Sequence, residues 1–199
     1  MAPRNEEQNK QIKDERREQI LQAALKVFSR RGLAATKISK IANEAGLSHG
    51  LVYHYFSSKD EIFTMLVERA LDGSKMVVDD AIKQNLPPLD QLRWLTEAIL
   101  KGISDDGAYF YIIMVQAFTS DAVPEQVKAM VKSKSPSILE GIIPIIISGQ
   151  QAGQIIKDNP TKLAGSYFAF IQGIAIQQVQ QTDKLVLPDT ELILRMFKS

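Results

Sequence analysis

Residues 36–59 read TKISKIANEAGLSHGLVYHYFSSK, and this stretch decides the fold. Its first half has apolar residues at helical spacing, which predict one short helix: Ile38, Ile41, Ala42 and Ala45. Thr36 can cap this helix, Gly46 permits a sharp turn after it, and Ser48 can cap a second short helix. Ser58 and Glu61 form an S-x-x-E capping box, which predicts where a longer helix starts and hence where Lys59 lies.

Two short helices joined by a tight turn bury little surface alone, so they need a third helix to pack on. The preceding segment supplies an apolar face with Leu21, Leu25 and Phe28. In the second short helix, the residues facing this support are Val52, Tyr55 and Phe56, and those left outward or at the rim are His49, Gly50, Leu51, Tyr53 and His54. We call this three-helix unit the tripod. It is the helix-turn-helix arrangement, whose second helix enters the major groove of DNA.

The order I-A-x-x-A-G-L-S-x-G-x-V-Y-x-Y-F-x-x-K resembles the signature of the TetR (tetracycline repressor) family of transcriptional regulators, and the likeness extends over roughly residues 15–66. The resemblance implies a set of phosphate contacts: Thr36, Ser48, Tyr53, His54 and Lys59. It also implies that His49, Gly50 and Leu51 approach base edges. Hydroxyls and amides at helix N-termini suit phosphate oxygens, which agrees with this assignment.

Positive charge is concentrated around the same motif. Six Lys or Arg residues and one acid, Glu44, lie between Lys26 and Lys59, although the whole chain has a net charge of only +1. Residues 73–199 contain twelve basic and thirteen acidic residues. Because DNA binding needs positive charge on one patch, we add Lys37 to the predicted DNA contacts.

Helical spacing continues along nearly the whole chain, so we predict an all-α fold of about nine or ten helices. Gly32 is expected to end the first helix, Pro87 and Pro88 to close the helix that starts near Lys59, and the pair Ser135-Pro136 to break a later one. The predicted organisation is a flexible arm over 1–12, a helix-turn-helix DNA-binding domain over 13–58, and an effector-binding and dimerisation domain over 59–199. The helix from Lys59 bridges the last two.

The C-terminal segment is interpreted mainly through the resemblance, which implies a helical bundle whose last two long helices pair with a second subunit. Residues 137–148 are apolar on nearly every side, and Gly165, Ala169 and Gly173 recur every four residues. Both features fit a homodimer interface, and the alternative is burial inside one subunit. An aromatic cluster predicts an apolar effector pocket, with plain core as the alternative: Trp94, Tyr109, Tyr111, Met114 and Phe118.

Other function classes find little support. The chain has no cysteine, no apolar run long enough to span a bilayer and no secretory signal, so we expect a cytoplasmic protein. His49 and His54 lie on different sides of a helix, and paired carboxylates or phosphate loops are missing, so we expect no catalytic residues, metal or cofactor. We predict a repressor that binds a palindromic DNA operator as a homodimer and is released by a small apolar or aromatic ligand. The alternative is a helical protein-interaction module that keeps the tripod without binding DNA.

Overall fold

The computed structural model describes residues 6–180 and 186–199. This part of the chain is all-α, as predicted, and apart from one isolated bridge between Ile155 and Lys198 it has no β-structure. Its helices are α1 (Glu6–Ala35), α2 (Ile38–Ala45), α3 (His49–Tyr55), α4 (Lys59–Lys83), α5 (Pro88–Gly102), α6 (Ala108–Thr119), α7 (Glu125–Gly141), α8 (Ile143–Gln151), α9 (Pro160–Gln180) and α10 (Thr190–Leu194). A π-helical turn, Ile103–Gly107, joins α5 to α6. No helix in the described ranges is both long and apolar enough to cross a membrane.

The turns of the tripod follow the predicted local chemistry. Gly32 has φ 76° near the end of α1, and Gly46 has φ 65° after α2, where its amide donates to the Asn43 carbonyl. Glycine adopts this left-handed conformation without a Cβ penalty. The hydroxyl of Ser48 accepts a hydrogen bond from the Leu51 amide at 3.2 Å, so Ser48 caps α3 as predicted.

The flexible arm predicted over residues 1–12 is wrong for residues 6–12, which form the first turns of α1. Residues 1–5 lie outside the described residues. Residues 8–16 are all exposed, so this end of α1 packs on nothing and shows no apolar periodicity. Its Glu, Gln, Lys and Arg side chains are nevertheless good helix formers. Gln11 also donates to the Glu15 carboxylate one turn later, at 3.1 Å.

The helix break predicted at Ser135-Pro136 is also wrong, because α7 continues through Pro136 to Gly141. Proline leaves the carbonyl four residues earlier without its partner. Here that carbonyl belongs to Lys132, an exposed residue, so water can bind it. The break lies instead at Ile142, and Pro144 stands in the first turn of α8, where proline is tolerated.

Two hydrophobic clusters hold the helices together. The first unites the tripod with the first half of α4 and with α6 and α7, and the second unites the end of α4 with α5, α8, α9 and α10. Ile113 and Ala117 of α6 and Val127 and Val131 of α7 therefore belong to the core of the tripod. The domain boundary expected near residue 58 remains a prediction, but the hydrophobic core runs across it.

The apolar run 137–148 is mostly internal. Ile142, Ile145 and Ile146 are at most 3% exposed and pack in the second cluster, as the burial alternative expected. Ile147 is 39% exposed. On α9, Gly165 and Gly173 have open space where a side chain would extend, and Phe170 is 37% exposed. A partly apolar outer face of α9 is thus left uncovered by the described residues of one subunit.

Candidate nucleic-acid interface

The short helix α3 is anchored from one side. Val52 and Phe56 are buried at 0% and 1% exposure, and the Arg17 guanidinium lies 4.8 Å from the centre of the Phe56 ring. The neighbouring α2 is tied to α1 by the Gln19 side-chain amide, which donates to the Ala45 carbonyl at 2.7 Å. These contacts set the orientation of α3 on α1, as the spacing of apolar residues predicted.

The opposite side of α3 is open to solvent. Ser48, His49, Gly50 and His54 are exposed, and Tyr53 is 49% exposed. The rings of His49 and Tyr53 meet edge to face with centroids 4.9 Å apart. The structure thus brings the predicted outward residues together on one exposed edge, with Leu51 half-buried at its rim.

A shallow hollow of about 440 Å³ separates α3 from the N-terminal end of α2. Its walls include Lys37, Ser39, His49 and Tyr53. Lys37 is the N-cap of α2 and makes no side-chain capping bond, so the amides of the first turn are not satisfied by that side chain. Such a helix terminus suits a phosphate oxygen. Ser39 was not predicted as a contact, although its exposed hydroxyl lies two residues after Lys37 in the same turn.

Thr36 does not have the position predicted for it. Its side chain is 1% exposed, and its hydroxyl donates to the Gly32 carbonyl at 2.7 Å. Thr36 therefore closes the end of α1 and does not cap α2, whose N-cap is Lys37. The reason is the reversal of the chain at Gly32, which brings that carbonyl to the hydroxyl.

Lys59 also has a different environment from the one predicted. Its ammonium group donates to the carbonyl oxygens of Leu33, Thr36 and Ala34, at 2.8, 3.0 and 3.2 Å. An ammonium group has three protons, so all of them are used inside the protein. Positive charge near the C-terminal end of a helix is favourable, and Lys59 provides it for α1. The structure assigns Lys59 to holding α4 against α1, and leaves no proton for a phosphate.

The capping box at the start of α4 is present with one difference. The Ser58 hydroxyl accepts from the Glu61 amide at 3.1 Å, as predicted, but the Glu61 carboxylate accepts from the amide and the hydroxyl of Ser57, both at 2.7 Å. The hydrogen bond from the Ser57 hydroxyl is the main reason that the pKa of Glu61 lies below its usual value. The turn between α3 and α4 is therefore held by both serines.

Part of the positive charge near the motif is paired. Lys26 lies 3.4 Å from the Asp106 carboxylate, and Arg30 lies 4.0 Å from Glu44. With Lys59 bonded to carbonyls, the exposed cations of the motif that have no carboxylate partner among the described residues are Arg31, Lys37 and Lys40. The electrostatic attraction for phosphate comes mainly from these three residues.

A second site lies in the helical bundle. A cavity of about 230 Å³ opens between α4, α6, α7 and α9, and three predicted pocket residues line it: Tyr111, Met114 and Phe118. The other two, Trp94 and Tyr109, are not among the residues that line this cavity, and they pack against the second and the first cluster respectively. The wall residues from the other helices were not predicted: Leu71, Ser74, Ser135, Ile138, Leu139, Phe168 and Gln172. Nothing in local spacing identifies them, since they converge from distant parts of the chain.

Neither site has the composition of a metal centre. Within the described ranges, no group of three His, Asp or Glu side chains is placed to hold a metal ion. Burial raises the pKa of Tyr111 to about 12, so this phenol stays protonated at neutral pH. What the two sites offer is an exposed helix edge with hydroxyls, imidazoles and cations, and an apolar cavity with a few hydroxyls.

Comparison with known proteins agrees with this description. Residues 20–66 match the family described as bacterial regulatory proteins, tetR family. The HTH-type transcriptional activator FasR of Mycolicibacterium smegmatis is 33% identical over 143 residues, which are 71% of this chain and 64% of FasR. The HTH-type transcriptional repressor KstR2 of Mycobacterium tuberculosis is 33% identical over 102 residues, 51% of each protein. In sequence, the chain thus aligns with less than two thirds of the length of these relatives.

Solved structures extend the likeness in fold to most of the chain. The M. tuberculosis ketosteroid transcriptional regulator KstR2 superposes with a TM-score of 0.72 at 22% identity, over 92% of this chain and 95% of that one. AibR, solved in complex with isovaleryl coenzyme A and operator DNA, gives a TM-score of 0.68 at 15% identity, over 91% and 95%. The matched helix-turn-helix, the regulators similar in sequence and the common all-α fold show that this chain belongs to the tetR family of bacterial regulatory proteins.

Proposed function

We propose that this protein is a transcriptional repressor that binds a palindromic operator as a homodimer and is released by a small molecule held in the bundle cavity. The observation that carries the proposal is the geometry of α3, whose exposed edge stands on a buried support. A recognition helix needs both properties, because its base-reading side chains must reach the groove while its backbone stays rigid. The relatives, a transcriptional activator and a transcriptional repressor, support a role in transcriptional regulation.

The proposed DNA contact of each residue follows from the exposure of its side chain. His49 and Gly50, at the start of α3, approach base edges. Leu51 contacts the bases from the rim of the exposed edge of α3. Ser48, Tyr53 and His54 contact phosphates. Lys37 and the first-turn amides of α2 bind a phosphate across the hollow, with Ser39 as a further hydroxyl. Thr36 and Lys59 also line the hollow, but their donors are bonded to carbonyls at the end of α1, so we assign them to holding that end in place.

The proposed dimer forms through α8 and α9. Phe170 and Ile147 expose apolar surface there, and the small residues Gly165 and Gly173 allow a partner helix to approach closely. A symmetric pair of subunits would present two copies of α3, which a palindromic operator requires. A second copy of this chain is therefore the proposed occupant of the α9 face.

Release is proposed to work through the helices that line both the cavity and the tripod. Leu71 and Ser74 of α4 form one wall, and α4 starts directly after α3. From the α6 wall, Gln116 donates to the Phe28 carbonyl of α1 at 2.8 Å. A ligand that separates α4 from α6 would shift the tripod and favour a dimer spacing that no longer fits the operator. A coupling of about 1–3 kcal/mol would weaken operator binding about 5- to 150-fold.

Selection of bound genomic fragments by the full chain, followed by fluorescence anisotropy on the enriched duplex, tests the proposal. His49→Ala should lose preference at one base pair by about 1–3 kcal/mol, whereas Tyr53→Phe should weaken all sequences alike. Lys132→Ala, an exposed lysine on α7, is the matched control and should leave affinity unchanged. Failure to enrich any fragment would refute DNA binding and favour a protein-interaction module.

A further inference from the structure

The cavity between α4, α6, α7 and α9 is lined by uncharged side chains. Apolar walls come from Leu71, Met114, Phe118, Ile138, Leu139 and Phe168, and the polar groups are Ser74, Tyr111, Ser135 and Gln172. No described residue that lines it has an ionisable acid or base at neutral pH, since burial raises the pKa of Tyr111 to about 12. An anion in this cavity would lose its hydration without gaining a cation, which is costly.

Ser135 is unusual among the serines of α7. The hydroxyls of Ser133 and Ser137 donate to the backbone carbonyls of Met130 and Lys134, at 2.9 and 2.7 Å. The Ser135 oxygen lies in the cavity wall, is shielded from solvent and has no hydrogen-bond partner in the described part of the chain. A buried hydroxyl without a partner is unfavourable in a folded protein, and its presence commonly marks a place where another molecule supplies the bond.

The lysines beside the cavity are engaged elsewhere. Lys134 precedes Ser135 and lies 3.0 Å from the Asp72 carboxylate and 3.8 Å from that of Glu68. Lys75 follows Ser74 and lies 2.5 Å from the Asp79 carboxylate. Each of these cations therefore has a carboxylate partner on α4, and neither is among the residues that line the cavity.

The volume sets the size of the occupant. A dry apolar cavity of about 150 Å³ holds one benzene molecule. The cavity here, at about 230 Å³, is large enough for a ring with small substituents or for a chain of similar volume. Phe118 is 59% exposed at its edge and gives access from solvent.

We infer that the effector is an uncharged, mainly apolar molecule of about this size, with one oxygen that hydrogen-bonds to Ser135. This inference rests on the proposed function, because it specifies the ligand of the cavity through which release is proposed. Ketones, esters and alcohols are of the required class. Carboxylates and phosphate-bearing molecules are excluded as effectors.

Three probes of matched shape test the inference by calorimetric titration of the full chain. They are 4-methylacetophenone, 4-isopropyltoluene and 4-methylbenzoate, which have equal numbers of non-hydrogen atoms and carry a ketone, an isopropyl group and a carboxylate at the same position. The carboxylate should bind about a hundredfold more weakly than the ketone, and the hydrocarbon serves as the reference that makes no hydrogen bond.

The variant Ser135→Ala should lose about tenfold in affinity for the ketone and keep its affinity for the hydrocarbon. Ser133→Ala, whose exposed hydroxyl is bonded to its own helix, is the matched control and should bind all three probes as the unmodified protein does. The hydrocarbon measurement shows whether Ser135→Ala has altered the shape of the cavity.

Binding of the carboxylate as tightly as the ketone would overturn the inference, as would equal losses for ketone and hydrocarbon in Ser135→Ala. Failure of all three probes to bind at concentrations up to their solubility limits would also overturn it. Operator binding by the ligand-free protein is measured separately, so each of these results leaves the DNA-binding proposal standing. Loss of operator binding alone would leave the ligand assignment standing.

Discussion

Replacing Lys59 with methionine would decide whether the ammonium group supports the protein or binds DNA. The native group donates to the carbonyl oxygens of Leu33, Thr36 and Ala34, at 2.8, 3.0 and 3.2 Å. Methionine keeps an unbranched apolar stem of similar length and removes the charge with all three donors. The carbonyls at the end of α1 then lose their partners.

The expected loss of stability follows from these contacts. A hydrogen bond to a charged group contributes roughly 1.5–3 kcal/mol. Leu33 and Thr36 are buried residues, whereas Ala34 is exposed and its carbonyl can bind water instead. Two of the three bonds therefore determine the cost, and since Lys59 is itself half-exposed, the free energy of unfolding should fall by about 3 kcal/mol.

Urea unfolding without DNA, followed by circular dichroism, measures this loss, and anisotropy of an operator duplex across salt concentrations measures phosphate contacts. The salt dependence should be unchanged in Lys59→Met, because no proton of Lys59 faces a phosphate. The matched control is Lys37→Met at an exposed lysine. It should change stability by no more than about 0.5 kcal/mol and lower the slope of log affinity against log salt by about 0.9.

If the slope of log affinity against log salt were lowered by about 0.9 in Lys59→Met, the structural role of Lys59 would be refuted, whatever the effect of the substitution on stability. It would mean that the ammonium group leaves the three carbonyls when DNA binds. Unchanged unfolding would likewise contradict the proposed role at the end of α1.

Three further predictions concern stability and assembly. Gly46→Ala should lower the free energy of unfolding by about 1–2 kcal/mol, because φ is 65° there and an added Cβ meets no neighbour that could compensate. Gly50→Ala in helix α3 should instead raise the free energy of unfolding by about 1 kcal/mol, and equal effects of the two substitutions in urea unfolding would contradict this. The folded state keeps the Tyr111 proton up to about pH 12, while the unfolded state loses it near pH 10, so Tyr111 should lower stability by up to about 1.4 kcal/mol per pH unit between those values. Burial also raises the pKa of Tyr167, which adds to the fall, so Tyr111→Phe should show a shallower slope, and an unchanged slope would disprove the contribution of Tyr111. Phe170→Glu should sediment as a monomer and Met76→Glu on α4 as a dimer, and a dimeric Phe170→Glu protein would rule out the α9 interface.

Local sequence determined the tripod. The positions of Gly46, Ser48 and Ser58 were sufficient to predict the turns, because left-handed backbone and N-capping depend on residues within one turn of each other. The apolar spacing that puts Val52 and Phe56 inward also predicted the outward edge of α3. Local spacing was less informative for residues 6–12, because a helix that packs on nothing needs no apolar stripe.

Tertiary structure decided the roles of residues whose partners are far away in the chain. Lys59 donates to carbonyls more than twenty residues before it in the sequence. Gln116, on the cavity-lining helix α6, donates to the Phe28 carbonyl. The cavity is formed by four helices, so only their packing puts Ser135 and Tyr111 in its walls and leaves Trp94 out of them. Short-range patterns encode backbone geometry and the buried face of each helix, but hydrogen-bond partners and cavities depend on how separate helices meet.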